Sequence, residues 1–242
     1  MCFFVYKYYD EEFIESGEEE MQKHLQKDID SLKNKIIIMG SEAEDRVYKA
    51  SLALINHDER LIDEVIKSDR QIDKMEVDIE EHCLKILALY QPVAIDLRFI
   101  IAVLKINNEL ERVGDIAVNI AERAAFLCKN KGFEIPYDVT AMATKVESML
   151  TRSIDALVHM DVKLAHQIRA EDDAVDEFNR EMYGRVKDML IKSPEDINCM
   201  LHAVSAGRHL ERIADHACNI AEDVIYLVDA EIVRHTPEVF EE

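Results

Sequence analysis

The chain has 242 residues but only 6 Gly and 4 Pro, where average usage of roughly 7% and 5% would supply about 29. Folds rich in turns or glycine loops need more of both residues, so this composition favours a few long helices. The formal charge of −21 argues against general nucleic-acid binding and against an anionic membrane surface, because both partners carry the same sign.

The five cysteines form no Cys-x-x-Cys pair, and several lie in apolar helical stretches. Disulfide frameworks and zinc knuckles have different spacings, so we expect reduced thiols and a cytoplasmic location. The longest apolar stretches are too short to span a bilayer. The opening residues also lack the cationic start and the cleavage site of a signal peptide, so we expect a soluble protein.

Residues 1–20 hold seven carboxylates and one lysine, a composition typical of a solvated acidic extension. From Met21 onward, apolar residues recur every three or four positions and predict a first helix that continues past Gly40. A second helix is predicted over about 58–90.

A third long helix is predicted from Pro92 to about residue 130, because proline is tolerated in the first helical turn. Gly132 and Pro136 then mark a stop and a restart. The second half predicts three more helices, the first around Met142, the second over about 161–191 and the third starting at Pro194.

Sequence duplication supports this plan. The segments 111–122 and 211–222 share eight of twelve residues, including Glu-Arg-x-x-Asp-x-x-x-Asn. An Asp-x-x-x-Asp pattern at 69–73 recurs at 172–176, an offset of 103. The prediction is therefore an all-α protein of two related three-helix bundles, packed side by side. The predicted domains are an acidic extension over 1–20, a first bundle over 21–132, a second bundle over 133–236 and an acidic tail over 237–242.

The duplicated segments place acidic residues on one helical face, because each residue turns the helix by about 100°. In the second helix Asp69 and Asp73 share a face with Glu76 and Glu80, but the fifth helix lacks counterparts of these two glutamates. Facing carboxylates repel one another. They are also hard oxygen ligands suited to Mg²⁺, Mn²⁺, Ca²⁺ or iron.

Other interpretations of these acids stay open. In a purely structural helical array, arginines such as Arg70, Arg112 and Arg212 would neutralise them as interhelix salt bridges. The enzyme alternative is a metal-dependent hydrolase with several bridged ions. A ferritin-like di-iron site is excluded because no His follows a Glu by three positions. His216 is interpreted as a core or surface histidine, and Cys218 as a packing residue.

Taken together, the motifs over about residues 21–236 resemble the PhoU family, accessory proteins of phosphate-specific transport that act as negative regulators of phosphate uptake. The resemblance rests on the paired acidic helices, Gln91-Pro92 with Leu97-Arg98, the two Glu-Arg-x-x-Asp-x-x-x-Asn copies and a terminal Val233-Arg234-His235. It implies six long helices in two bundles, a homodimer, and metal clusters. Iron is the first expectation for the metal, with Zn, Mn, Mg or Ca as alternatives.

The same resemblance implies which residues hold the metals and what the protein does. The implied ligands are Asp69, Asp73, Glu111 and Asp115 in the first half, and Asp172, Asp176, Glu211 and Asp215 in the second half. The implied role is that of a cytoplasmic regulatory adapter rather than an enzyme, with no catalytic residue. It would bind a phosphate transporter ATPase subunit and a sensor histidine kinase, and would repress phosphate uptake and starvation signalling when phosphate is plentiful.

Overall fold

A computed structural model describes the backbone of residues 11–130 and 132–234 and the side chains of residues 20–68, 70–130 and 132–234. Residues 1–10 of the predicted acidic extension and the predicted tail over 237–242 lie outside the described residues. The described chain forms seven α-helices and no strand. None of its helices is both long and apolar enough to cross a membrane. The helices are α1 (Glu11–Asn56), α2 (Glu59–Tyr90), α3 (Ala94–Lys129), α4 (Val139–His159), α5 (Val162–Ala170), α6 (Asp172–Lys192) and α7 (Ile197–Asp229).

The predicted all-α fold of two bundles is confirmed. Helices α1, α2 and α3 pack together as one bundle, and α4, α5, α6 and α7 pack as the other. The helix α1 begins at Glu11 rather than at the predicted Met21, so the backbone of residues 11–20 continues that helix. The predicted domain limits stay predictions.

Matching caps start the second helical segment of each bundle. The Asp58 carboxylate accepts hydrogen bonds from the backbone of Arg60 and Leu61, and the Asp161 carboxylate accepts one from Leu164. Each cap satisfies backbone N–H groups that have no partner within the helix. The residues 57 and 160, just before the caps, both adopt positive φ. The duplication at an offset of 103 therefore extends to the turn geometry.

The predicted single helix over 161–191 is wrong in one respect, because it is interrupted at Glu171, which separates α5 from α6. The Glu171 carboxylate lies 2.7 Å from Lys145 Nζ and 2.6 Å from Arg152 Nη1, both on α4. The Glu171 N–H bonds to carbonyls only two and three residues back, at Arg169 and Ile168. We attribute the interruption to the ion pairs that Glu171 makes with α4. The sequence pattern of α5 and α6 cannot reveal these contacts.

Helices α3 and α7 form the centre of the molecule and join the two bundles. They run antiparallel. Arg98 Nε donates to the Leu227 carbonyl at 3.4 Å near one end, and the rings of Phe126 and His202 stack at 3.7 Å near the other. Both helices bury residues around most of their circumference, as helices inside a core do. The acidic residues of the duplicated motifs lie on the less buried faces of the two helices.

Candidate metal centres

The first acidic cluster lies where α2 packs against α3. The buried Asn107 amide donates to the Glu76 carbonyl at 3.0 Å, which sets the register of α3 against α2 and brings Glu111, one turn further along, opposite the acidic face of α2. Gly114 allows this approach, because a Cβ there would lie 3.0 Å from Ile72 Cδ1. A residue with a side chain would hold the two helices further apart at the cluster.

The carboxylates of this cluster are close enough to perturb one another. Burial raises the pKa of Glu111, and the negative charges of Asp115, Glu76 and Asp73 raise it further, while Arg112 lowers it. Burial also raises the pKa of Glu76, with added contributions from its neighbours on α2. The structure thus brings together three of the four predicted first-half ligands, Asp73, Glu111 and Asp115. Asp69 lies on α2, one turn before Asp73, and its side chain is not among those described.

The second cluster lies between the start of α6 and the middle of α7. Burial raises the pKa of Asp215 to about 6, and the charges of Asp172, Glu211 and Asp176 add to this effect, while His216 lowers it. Burial and the charge of Asp176 also raise the pKa of Asp172. All four predicted second-half ligands therefore belong to one electrostatic cluster.

Cys218 contacts the second cluster, so its interpretation as a packing residue is incomplete. Its Sγ lies 3.7 Å from Asp172 Oδ1 and 3.9 Å from the Ile168 carbonyl. Burial and the charge of Asp172 raise the pKa of this thiol, so it stays protonated and donates to Asp172. The equivalent position in the first motif is Val118, so the two clusters differ in chemistry. Cys218 is visible in the sequence as part of the second duplicated motif. Its contact with Asp172 follows only from the packing of α6 against α7.

His216 has the structural role predicted for it. It is buried, and its Nδ1 lies 2.6 Å from Glu109 Oε2 on α3. Asn219 Nδ2 donates to the same carboxylate oxygen at 3.0 Å. Burial alone would raise the pKa of Glu109, but the contacts with His216 and Asn219 bring it below its ordinary value. Glu109 lies two residues before the first duplicated motif, and no sequence pattern marks it as a partner of His216.

The donor chemistry and the charge of both clusters fit a cation that prefers oxygen ligands, since each cluster concentrates carboxylates that disfavour one another's ionisation. The fit does not extend to ligand geometry. Among the side chains described, which omit Asp69, no three His, Cys, Asp or Glu residues are arranged to hold one ion. A metal would have to draw the carboxylates of each cluster closer together.

Comparison with known families identifies both halves of the chain. A family model described as the PhoU domain matches residues 36–124 and again residues 139–224. The phosphate-specific transport system accessory protein PhoU homolog of Aquifex aeolicus is 39% identical over 211 residues, covering 87% of this chain and 96% of that protein. The homolog from Pseudomonas aeruginosa is 37% identical over 209 residues, covering 86% of each chain.

Solved structures agree with these sequence relatives. The crystal structure of PhoU from Pseudomonas aeruginosa superposes with a TM-score of 0.82 at 36% identity, covering 85% of this chain and 99% of that one. The phosphate transport system regulatory protein PhoU from Streptococcus pneumoniae superposes with a TM-score of 0.76 at 28% identity, covering 86% and 99%. The likeness therefore spans both bundles.

Proposed function

Because the chain belongs to the PhoU family, we propose that it is a regulatory adapter that restrains phosphate uptake and phosphate-starvation signalling when phosphate is plentiful. Proteins of this family are accessory regulatory proteins, not enzymes, so the metal-dependent hydrolase alternative is not favoured. The observation that carries the proposal is the family match over both repeats, 36–124 and 139–224.

The proposed partners are a phosphate transporter ATPase subunit and a sensor histidine kinase, reached from the cytoplasm. Relatives of this chain are described as accessory to phosphate-specific transport, which supports association with a transporter. Exposed apolar side chains also support protein partners: Val93, in the turn between α2 and α3, and Ile95, in the first turn of α3, are both largely open to solvent. Apolar surface of this kind is common where proteins bind one another.

The central experiment deletes the gene in its host and follows a phosphate-starvation reporter at high phosphate. We expect the reporter to switch on in the deletion strain and to fall silent again when the wild-type gene is restored. A reporter that stays silent in the deletion strain would contradict the adapter role. Tagged protein should also co-purify with the transporter ATPase subunit from cells grown in high phosphate.

We propose further that the acidic clusters bind metal ions, with iron as the first candidate and Zn, Mn, Mg or Ca as the others. The support is the charge of the clusters and the resemblance described above. Elemental analysis of the purified protein should find less metal in a Glu111→Ala, Asp115→Ala variant. The matched control is Glu177→Ala with Glu181→Ala, which removes two exposed carboxylates of α6. Equal metal content in both variants and the wild type would argue against the first centre.

The same variants test whether metal matters for regulation. If the first centre is required, the Glu111→Ala, Asp115→Ala gene will fail to silence the reporter in the deletion strain, while the control gene will succeed. Full rescue by the cluster variant would show that the first centre is dispensable for regulation. That result would not contradict the adapter role.

We propose that phosphate status reaches this protein through a partner, because its acidic clusters repel phosphate. Tight phosphate binding by the isolated protein in calorimetry would contradict this. We also propose a homodimer, which light scattering coupled to size-exclusion chromatography would reveal as twice the 27.9 kDa chain mass.

A further inference from the structure

A pocket between α1 and α4, away from both acidic clusters, has features of a binding site of its own. Its cavity volume is about 240 Å³. Its wall consists of two glutamates, two apolar residues, a tyrosine and a threonine: Glu44, Glu147, Val47, Leu150, Tyr48 and Thr151. Neither α1 nor α4 contributes a predicted metal ligand.

The residues that line the pocket come from equivalent positions of the two repeats. At an offset of 103, which also relates the Asp58 and Asp161 caps, Glu44 corresponds to Glu147 and position 47 corresponds to position 150. Position 48 corresponds to position 151 in the same way, so each helix supplies the same three positions to the cavity. Both repeats have a glutamate at the one charged position of this set. The pocket is therefore a shared site that neither bundle can form alone.

The helices α1 and α4 approach closely beside this pocket. A Cβ on Gly40 would lie 3.1 Å from Ile154 Cδ1, so a larger residue there would push the helices apart. Val47 and Leu150 are fully buried and form an apolar floor. Tyr48 is 52% exposed at the edge of the cavity, where its ring can contact a bound molecule.

The two glutamates bring negative charge into this partly apolar space. Burial raises the pKa of Glu44, and Asp155 raises it further, while the Thr151 hydroxyl lowers it. Burial raises the pKa of Glu147, and the Ser51 hydroxyl lowers it. Among the described side chains, the groups that shift these two pKa values are hydroxyls and a carboxylate, and none of them is a cation.

Ser51 lies beside the pocket on α1, one helical turn beyond Val47. It is 1% exposed, and its hydroxyl faces the Glu147 carboxylate and lowers the pKa of that group. The Thr151 hydroxyl does the same for Glu44. Both hydroxyls are neutral, so they leave the negative charge of the two glutamates uncompensated.

The composition of the wall selects the class of ligand. Two carboxylates give charge-assisted hydrogen bonds to a cation, and an exposed aromatic ring adds a cation–π contact. An apolar floor suits an aliphatic chain, as in lysine and arginine side chains. Mg²⁺ and Ca²⁺ require six or more oxygen ligands and gain nothing from an apolar floor and a ring.

We propose that this pocket binds an organic cation, a primary ammonium or guanidinium group on a short aliphatic chain, between Glu44 and Glu147. The cation comes either from a free diamine or from a lysine or arginine side chain of a protein. In both cases it touches both repeats at once, and so stabilises the packing of α1 against α4.

Calorimetry and amide NMR on the full chain test this proposal with three probes: putrescine, agmatine and N-acetyl-arginine methylamide. We expect saturable binding, with chemical-shift changes centred on Glu44, Tyr48 and Glu147. Tighter binding of putrescine or agmatine would indicate a free diamine as the source, and tighter binding of the arginine amide would indicate a protein side chain. No saturable binding by any probe, or competition by Mg²⁺ at equal concentration, would overturn the proposal.

Variants localise the site. The Glu44→Gln and Glu147→Gln substitutions should each weaken binding by about tenfold, because each removes one charge-assisted contact. The control Glu42→Gln with Glu81→Gln changes the net charge equally outside the pocket and should leave the dissociation constant unchanged. Tyr48→Ala should weaken binding more than Tyr48→Phe, which keeps the ring. Equal affinity in the Glu44→Gln, Glu147→Gln double variant and the control would refute the site.

Discussion

His216 Nδ1 lies 2.6 Å from Glu109 Oε2, and this contact joins the second bundle to the first through a mostly buried polar pair. The internal symmetry does not reproduce it: at the offset of 100 that relates the two motifs, Glu109 corresponds to His209 and His216 corresponds to Ile116. The α3–α7 interface thus contains no second copy of this pair at the equivalent positions. This asymmetry gives α3 and α7 one preferred register, because a slipped register would leave Glu109 without its partners.

The Glu109 contact should therefore contribute measurably to stability. In a double-mutant cycle, Glu109→Ala and His216→Ala should show a coupling of about 1–2 kcal/mol in the free energy of unfolding, since each single variant removes the contact between these two partly buried polar groups. Urea denaturation of the wild type, both single variants and the double variant measures this coupling. Glu109→Ala with His159→Ala serves as the control, because His159 is exposed on α4, and its effects should add within about 0.5 kcal/mol. Additive effects for the Glu109 and His216 pair would refute the coupling.

A second ion pair between the bundles should stabilise the fold more than an exposed pair does, because its carboxylate is buried. Lys105 Nζ on α3 lies 2.9 Å from Asp223 Oδ1 on α7, and the Asp223 side chain is only 3% exposed. Lys105→Met should lower the free energy of unfolding by about 1–3 kcal/mol, because Arg234, at 3.3 Å, is then the one cationic partner that Asp223 keeps among the described residues. The matched control is Lys67→Met, which breaks a 2.9 Å pair with Asp63 on the exposed face of α2. It should cost less than about 1 kcal/mol, and equal losses would contradict the role of burial.

The fold was predictable because its signals are local. Asp58 and Asp161 cap the helices that follow them, and apolar spacing identifies the buried stripe of each helix, so six long helices in two related bundles could be read from the sequence. The interruption at Glu171 could not, because its cause is a contact with Lys145 and Arg152 on another helix. Likewise, no local pattern shows that Glu109 finds its partner 107 residues later.

The candidate metal centres could likewise be predicted from the sequence only in part. Helical periodicity places Glu111 with Asp115, and Glu211 with Asp215, on common faces, and the antiparallel packing of consecutive helices brings these faces against α2 and α6. The closeness of the approach depends on details such as Gly114 against Ile72. The contact of Cys218 with Asp172 depends on the start of α6, which falls inside the single helix predicted over 161–191.

Two glycines should respond oppositely to alanine. A Cβ on Gly184, on the exposed face of α6, meets nothing within 4 Å, so Gly184→Ala should raise the free energy of unfolding by about 0.5–1 kcal/mol through lower chain entropy and higher helix propensity. A Cβ on Gly207 would overlap the Met182 sulfur and lie 3.0 Å from the Tyr137 hydroxyl oxygen. Gly207→Ala should therefore lower the free energy of unfolding by about 1–3 kcal/mol. Thermal and urea denaturation of both variants test this, and stabilisation by both would show that α6 and α7 repack freely.

The pocket between α1 and α4 should make stability depend on pH in a specific sense. Burial raises the pKa of Glu44 and of Glu147 above the ordinary value of 4.5, so the folded state holds these protons more tightly than the unfolded chain does. Their ionisation therefore costs stability as pH rises through and above 4.5, and this cost is absent at lower pH. Asp155 beside Glu44 strengthens the effect, and the facing hydroxyls of Thr151 and Ser51 weaken it.

It follows that the Glu44→Gln, Glu147→Gln double variant should be more stable than the wild type at pH 8 when no organic cation is added. The difference should shrink towards zero as pH falls to 4, where the wild-type carboxyls take up protons. Urea denaturation at both pH values measures the difference, and Glu42→Gln with Glu81→Gln provides a control of equal charge. An advantage of the same size at both pH values, or one shared by the control, would show that the buried charge of this pocket is not its cause.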